Sequence, residues 1–222
     1  MTFYDDTTGE RMELSAASLG NWVAKTHFLL GDELGLGPGD RALVDLPLHW
    51  QRLVVWFGAW SAGLEVVTHA DGANVAFVSA DRVAAAGGVH DVFALALAPW
   101  GRGFDGGALP PEGTADFVVA VRPQPDAWAS VRAPAGPHDP AFAGRSRTEL
   151  VAAARALAVE RGLTPGARVA VSDASPGADC PETVLAVLSV AGSLVLTRTA
   201  GMSDDLGAQT RRDRQERISH RL

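Results

Sequence analysis

Apolar positions along this chain fall into stretches of helical period and short unbroken runs, and their alternation predicts helices interleaved with strands. Residues 2–4 and 11–14 flank a turn-rich segment at 5–10 and read as a hairpin. Leu19, Trp22, Val23, Thr26, Leu29 and Leu30 then recur at helical spacing, with Ser15 or Ser18 as the cap and Gly31 or Gly35 as the stop. A short apolar strand at 42–46 leads into a helix over 49–62. Its Trp50, Leu53, Val54, Val55, Trp56, Phe57 and Trp60 leave no polar stripe, the mark of burial on both sides. Residues 64–68 form the next strand, which makes a β-α-β crossover with parallel, right-handed strands.

Strands at 75–79 and 92–98 follow, separated by a short Ala-rich helix, and the run 117–121 reads as a further strand. Segment 123–144 holds five prolines without periodicity, which is linker or surface-loop composition. Beyond it lie a helix at 148–161, a strand at 168–172, a helix opening at Pro181 and a strand at 194–197. Pro181 suits a first helical position, where its missing N–H costs nothing. In the tail from Ser203, Asp204 and Asp205 precede five arginines, the polarity a helix dipole favours.

Two parts of this pattern are the same unit. Gly35-Leu-Gly-Pro-Gly-Asp-Arg-Ala-Leu-Val44 returns 127 residues later as Gly162-Leu-Thr-Pro-Gly-Ala-Arg-Val-Ala-Val171, with six of ten positions identical. A second landmark aligns Gly63, in Ala62-Gly-Leu-Glu-Val-Val67, with Gly192, in Ala191-Gly-Ser-Leu-Val-Leu196. The expected fold class is α/β, with mostly parallel sheets, helices on both faces and two pseudo-repeated β-α-β subdomains. The expected division is 1–122, a Pro-rich connection at 123–147, and 148–222 with a C-terminal helix, packed as one unit.

A net charge of −7 argues against a general polyanion binder, so nucleic acid is not an expected partner. The single cysteine, Cys180, cannot form an internal disulfide, and no run of 18 apolar residues or signal-peptide pattern occurs; a cytoplasmic protein without a membrane partner is expected. Lys25 is the only lysine and Tyr4 the only tyrosine, which leaves any lysine chemistry one candidate.

Familiar catalytic motifs are absent. Gly101-Arg-Gly103-Phe-Asp-Gly106 matches G-x-G-x-x-G, yet Gly107, Pro110 and Pro111 forbid the helix that would receive a pyrophosphate. The histidine–carboxylate neighbours His69-x-Asp71, His90-Asp91 and His138-Asp139 lack the three convergent ligands a metal requires, so no metal site is assigned. In parallel sheets ligands bind beyond the carboxyl ends of strands, and there the two repeats place Asp45, His49, Trp50 and Gln51, and Asp173, Ser175 and Asp179. These are the candidate ligand-binding residues; helix capping by the same polar residues is the competing explanation.

The order of helix, G-L-G-P-G-D-R turn, strand, buried helix and A-G-x-x-V-V resembles the start of the adenylate-forming superfamily: acyl-CoA synthetases, nonribosomal adenylation domains and luciferases. More narrowly, the chain resembles short actinobacterial AMP-binding-like proteins of unknown function. The resemblance implies ATP or AMP as the ligand to consider. It also implies a Ser/Thr/Gly-rich phosphate loop with a lysine before the second repeat, where this sequence runs from Asp139 through Arg145 and Arg147 straight into the Thr148 helix. The Tyr-Gly-x-Thr-Glu motif and the C-terminal domain with its lysine are not found. No catalytic residue is carried over.

The leading expectation is therefore a truncated, noncatalytic AMP-binding-like protein that binds a small acyl or nucleotide ligand or a protein partner. The alternatives are an acid:adenylate-forming ligase completed by another chain, and a scaffold that dimerises or docks on a larger synthetase. For the scaffold, Arg211, Arg212, Arg214 and Arg217 would meet an acidic partner.

Overall fold

The computed structural model describes residues 1–105, 108–127, 135–199 and 206–222. In chain order the elements are β1 (Thr2–Asp5), β2 (Glu10–Glu13), α1 (Ala16–Phe28), β3 (Arg41–Asp45), α2 (Trp50–Ala62), β4 (Glu65–Val67), β5 (Val75–Ser79), β6 (Asp91–Leu95), β7 (Ala115–Asp116), α3 (Phe117–Val121), β8 (Pro140–Phe142) and β9 (Arg145–Ser146). They continue with α4 (Arg147–Glu160), β10 (Arg168–Ser172), α5 (Pro181–Ser189), β11 (Ser193–Arg198), α6 (Leu206–Glu216) and β12 (His220–Arg221). No helix among the described residues is long and apolar enough to cross a membrane.

The chain forms two compact units. One comprises residues 1–14, 48–50 and 149–222, around a five-stranded sheet ordered β12-β10-β11-β1-β2. The other comprises residues 15–47 and 51–148, around a seven-stranded sheet ordered β7-β6-β5-β3-β4-β8-β9. Only the β1–β2 and β8–β9 pairs among these sheet neighbours are antiparallel, so both sheets are mostly parallel, as the crossover pattern predicts. The linear division at residue 122 places the N-terminal hairpin with the first repeat; β1 instead pairs in parallel with β11, Thr2 against Val195. Hairpin signals are local and carry no information about which sheet a hairpin joins.

Local chemistry explains most boundaries. Ser15 caps α1, its side chain accepting from Ser18 N at 3.0 Å, and the helix runs on through a π-helical turn at Leu29–Glu33. The run 117–121 is a helix, contrary to the strand expected. Asp116 accepts from Val118 N at 2.7 Å and Val119 N at 3.3 Å, and this cap selects the helix in an apolar run too short for periodicity to decide. The Ala-rich segment is a 3-10 helix at Ala80–Ala86. In the core of the seven-stranded sheet, Phe77 stacks on Phe93 at 5.4 Å and meets Phe117 edge-on at 5.7 Å. Within the Pro-rich stretch, β8 joins that sheet through Phe142 opposite Val66; Asp204 and Asp205 lie outside the described residues.

The repeat is one geometry built twice. Arg41 sits opposite Glu65 and Arg168 opposite Ser193 in the two parallel pairs. Glu65 N donates to Asp40 O at 2.9 Å, and Ser193 N donates to Ala167 O at 2.8 Å. Arg41 Nε reaches Glu65 Oε2 at 3.0 Å, as Arg168 Nη1 reaches Ser193 Oγ at 3.2 Å. Arg168 lies 127 residues after Arg41 and Ser193 lies 128 after Glu65, so the counterpart of Gly63 is Ala191 and not Gly192. Both occupy the left-handed region, at φ 98° and 52°, and end their helices there. Gly192 is required for a different reason: a Cβ on it would stand 2.6 Å from Ala167 O and 2.8 Å from Val187 O.

Candidate functional site

At the carboxyl end of β3, Asp45 Oδ1 accepts from Arg82 Nη1 at 2.6 Å. The next three candidates leave the surface altogether: His49, Trp50 and Gln51 are each fully buried. The His49 ring lies 4.5 Å from Phe3 and 5.6 Å from Trp50, within a packed aromatic group. An N-terminal turn normally keeps polar residues wet, but α2 is apolar on nearly every face and is enclosed from its first turn. These three candidates thus lie in the interior at the start of α2 and not at its surface.

At the carboxyl end of β10, Asp173 accepts from Thr199 N at 3.0 Å and Thr199 Oγ1 at 2.8 Å, which ties the ends of β10 and β11 together. Ser175 Oγ accepts from Ser172 N at 3.1 Å and closes the turn. Asp179 is exposed just ahead of Cys180, the N-cap residue of α5. Asp45 and Gln51 belong to the unit with the seven-stranded sheet; His49, Trp50, Asp173, Ser175 and Asp179 belong to the other.

The junction ahead of α4 is informative in detail. β8 and β9 are joined by Ala143 and Gly144, at φ 47° and 81°, the double left-handed turn of a tight hairpin. Ala143 N donates to Val66 O at 3.0 Å, and Gly144 N donates to Glu65 Oε1 at 2.5 Å. A phosphate cradle needs several backbone N–H groups free to converge on an anion. Here two N–H groups form the turn, both are engaged, and one already holds a buried carboxylate. Arg147 opens α4, and burial pushes its guanidinium below its ordinary pKa, with Asp139 opposing.

Both scarce residues are engaged in hydrogen bonds. Lys25 Nζ donates to Arg122 O at 2.8 Å and Gln124 O at 2.5 Å, stapling the carbonyl end of α3. Tyr4 OH donates to Glu216 Oε1 at 2.5 Å. Glu216 is buried and is also held by Arg168, by Arg11 at 2.9 Å and by Thr2 Oγ1 at 3.3 Å. Burial alone would push its carboxyl up; the hydrogen bonds from Tyr4, Arg168 and Arg11 more than offset this and hold it at about 2, against an ordinary 4.5. Arg212 lies over the Tyr4 ring at 4.3 Å and pairs with Asp6 at 2.5 Å, so the tail uses one of its arginines internally.

The G-x-G of residues 101–103 also has a structural purpose. A Cβ on Gly103 would stand 2.2 Å from Asp116 Oδ2, the carboxylate that accepts from Phe104 N at 2.7 Å and caps α3. Gly106 lies outside the described residues. His90 and Asp91 pair at 3.0 Å on the surface, and no group of three or more His, Cys, Asp or Glu placed to hold a metal occurs among the described residues. Glu65 and Glu216 are buried carboxylates that motif reading does not single out; for Glu65 the signal is an arginine repeated at the start of each strand, and for Glu216 there is none.

No protein-family model matches the chain. It is 40% identical over 203 residues, covering 88% of this chain and 81% of the relative, to a protein described as "TIGR03089 family protein" from Mycobacterium tuberculosis. Among solved structures it is similar to Brucella canis acyl-CoA synthetase, with a TM-score of 0.75 at 15% identity over 100% of this chain and 44% of that one. Acetoacetyl-CoA synthetase from Streptomyces lividans gives a TM-score of 0.75 at 18% identity over 99% and 39%. The N-terminal domain of FACL13 from Mycobacterium tuberculosis gives 0.64 at 17% identity over 97% and 56%. The chain thus spans less than half the length of the two synthetases, and at these identities the likeness establishes the fold: that of the N-terminal part of acyl-CoA synthetase-like, adenylate-forming enzymes.

Proposed function

The chain belongs to the TIGR03089 family, and on that premise we propose that it is a noncatalytic protein on an AMP-binding scaffold, one that binds a small ligand or a partner without activating an acid. The observation that carries this reading is the Ala143-Gly144 turn with Glu65 beneath it. Acid activation expels pyrophosphate, and its transition state gathers negative charge that must be met by cations and oriented N–H groups. A two-residue turn whose N–H groups are spent, one on a carboxylate, opposes that charge. The single lysine, bound to the backbone carbonyls of Arg122 and Gln124, does not substitute.

The test is ATP–pyrophosphate exchange by the purified chain over a broad panel of carboxylic acids. Background exchange supports the reading, and robust exchange with any acid overturns it. A ligase completed by another chain would reveal itself as exchange that appears only when the partner co-purified from the native host is restored.

A further inference from the structure

Arg41 and Arg168 open corresponding strands of the two repeats, yet the residues opposite them differ: Glu65 gives Arg41 a carboxylate, whereas Ser193 gives Arg168 only a hydroxyl. Arg168 takes its carboxylate from much farther along the chain. Glu216, at the end of α6, meets Arg168 Nη2 through Oε2, and Thr2 Oγ1 donates to the same oxygen at 3.3 Å. Its Oε1 accepts from Tyr4 OH at 2.5 Å, from Arg11 Nη2 at 2.9 Å and from Arg11 Nε at 3.3 Å. Both oxygens are thus filled by donors from β1, β2 and β10.

Those donors belong to the sheet and not to the segment that brings the carboxylate. Thr2 and Tyr4 lie two apart on β1 and so share a face, Arg11 of β2 stands opposite Tyr4, and Arg168 Nη2 also donates to Thr2 Oγ1 at 2.8 Å. Strands and mutual bonds position all four. Glu216 enters on residues 206–222, where it is the one buried side chain among the described residues; Ile218 and Leu222 are half-buried. Elsewhere the bonds of the segment are polar, among them Arg212 with Asp6, Ser219 N to Arg168 O at 2.8 Å, and the pairing of β12 with Val169 and Ala170. Two guanidinium groups and two hydroxyls saturating one carboxylate are the arrangement of a bound anion. Arg11 keeps 41% of its side chain exposed, so the site lies within reach of solvent.

We infer that Thr2, Tyr4, Arg11 and Arg168 form a binding site for a small monocarboxylate, and that Glu216 occupies it as an internal ligand carried by the C-terminal segment. An external carboxylate competes with Glu216, so its binding and the release of residues 206–222 are linked. All these residues belong to the unit with the five-stranded sheet. The exchange assay concerns the β8–β9 turn in the other unit, and neither of its results decides this one.

The experiment uses acetate, which matches the atoms deleted by Glu216→Ala, against chloride at equal ionic strength and neutral pH. Thermal melts of full-length Glu216→Ala protein should rise with acetate, saturably, because a ligand that binds only the folded form stabilises it. Glu216→Gln, whose side chain still fills the slot, sets the general salt effect and should show no rise beyond it. Adding Arg168→Gln to Glu216→Ala should abolish the response. In the parent, hydrogen exchange across residues 206–222 should quicken several-fold in acetate relative to chloride, while β11 and β1 stay protected. Where Glu216→Ala protein does not fold on purification, refolding yield in acetate against chloride is the same test. The inference is overturned by Glu216→Ala protein that responds alike to the two salts in melts or refolding, by an equal acetate response in Glu216→Gln, or by parent protein whose exchange across 206–222 is the same in both.

Discussion

Gly144 donates its backbone N–H to the buried carboxylate of Glu65, and that bond ties the turn between β8 and β9 to β4. Glu65 also receives Arg41 on its other oxygen, so one side chain joins β3, β4 and the turn. Glu65→Ala strands a backbone donor and a cation together. A loss of about 1–3 kcal/mol is expected from hydrogen bonds of this kind, read by urea denaturation; a variant as stable as the parent would remove Glu65 from this role. The same variant should gain no pyrophosphate exchange, since a two-residue turn remains too short to cradle phosphates.

Glu216 makes the stability of its unit acid-sensitive. Its carboxyl titrates at about 2 in the fold against an ordinary 4.5, so the folded form binds the proton less readily than the unfolded chain. The stabilisation is fully present above about pH 4.5 and is lost as pH falls towards 2. Its size is on the order of 2–3 kcal/mol. Stability measured from pH 6 to 2 should fall steeply in the parent, and Glu216→Gln should lower the neutral plateau and flatten that acid limb.

The two residues that end α5 should respond in opposite directions. Ala191 holds a left-handed backbone that Gly63 adopts in the first repeat, so Ala191→Gly relieves strain and should stabilise by up to about 1 kcal/mol. Gly192→Ala drives a methyl into two carbonyl oxygens that belong to backbone and cannot step aside. A loss of about 2 kcal/mol or more is expected. Thermal melts of the pair test the alignment of Gly63 on Ala191, and a stabilised Gly192→Ala protein would refute it.

Gly103 offers a test of the G-x-G segment. Gly103→Ala pushes Asp116 off the first turn of α3 and should cost about 1–2 kcal/mol through the lost cap. Added NAD or NADP should leave both the parent and the variant unshifted in thermal melts, whereas a cofactor-dependent rise in the parent would restore the dinucleotide reading.

Strand and helix order was largely legible because period and punctuation were both present: β5 and β10 occupy the ranges 75–79 and 168–172 read from their apolar runs. The helix at 117–121 was not, because five apolar residues carry no period and the deciding atom belongs to Asp116, one position upstream. Partnership was hidden wherever it was long-range. Glu216 is held by Thr2, Tyr4, Arg11 and Arg168, between 48 and 214 residues away, and nothing local distinguishes it from a solvated helix residue. The polar residues at strand ends were easy to find and hard to interpret: Asp45 is on an accessible edge, while His49, Trp50 and Gln51, only a few positions on, are sealed inside.

Lys25 has one more implication. Activated acyl groups modify proteins through uncharged lysine amines, and this sequence presents a single ε-amine to them. That amine is held as a donor to two carbonyls, so capturing an acyl group would require it to give up its bonds beyond α3. In the company of reactive thioesters or mixed anhydrides, such a chain offers almost no lysine surface to be scarred.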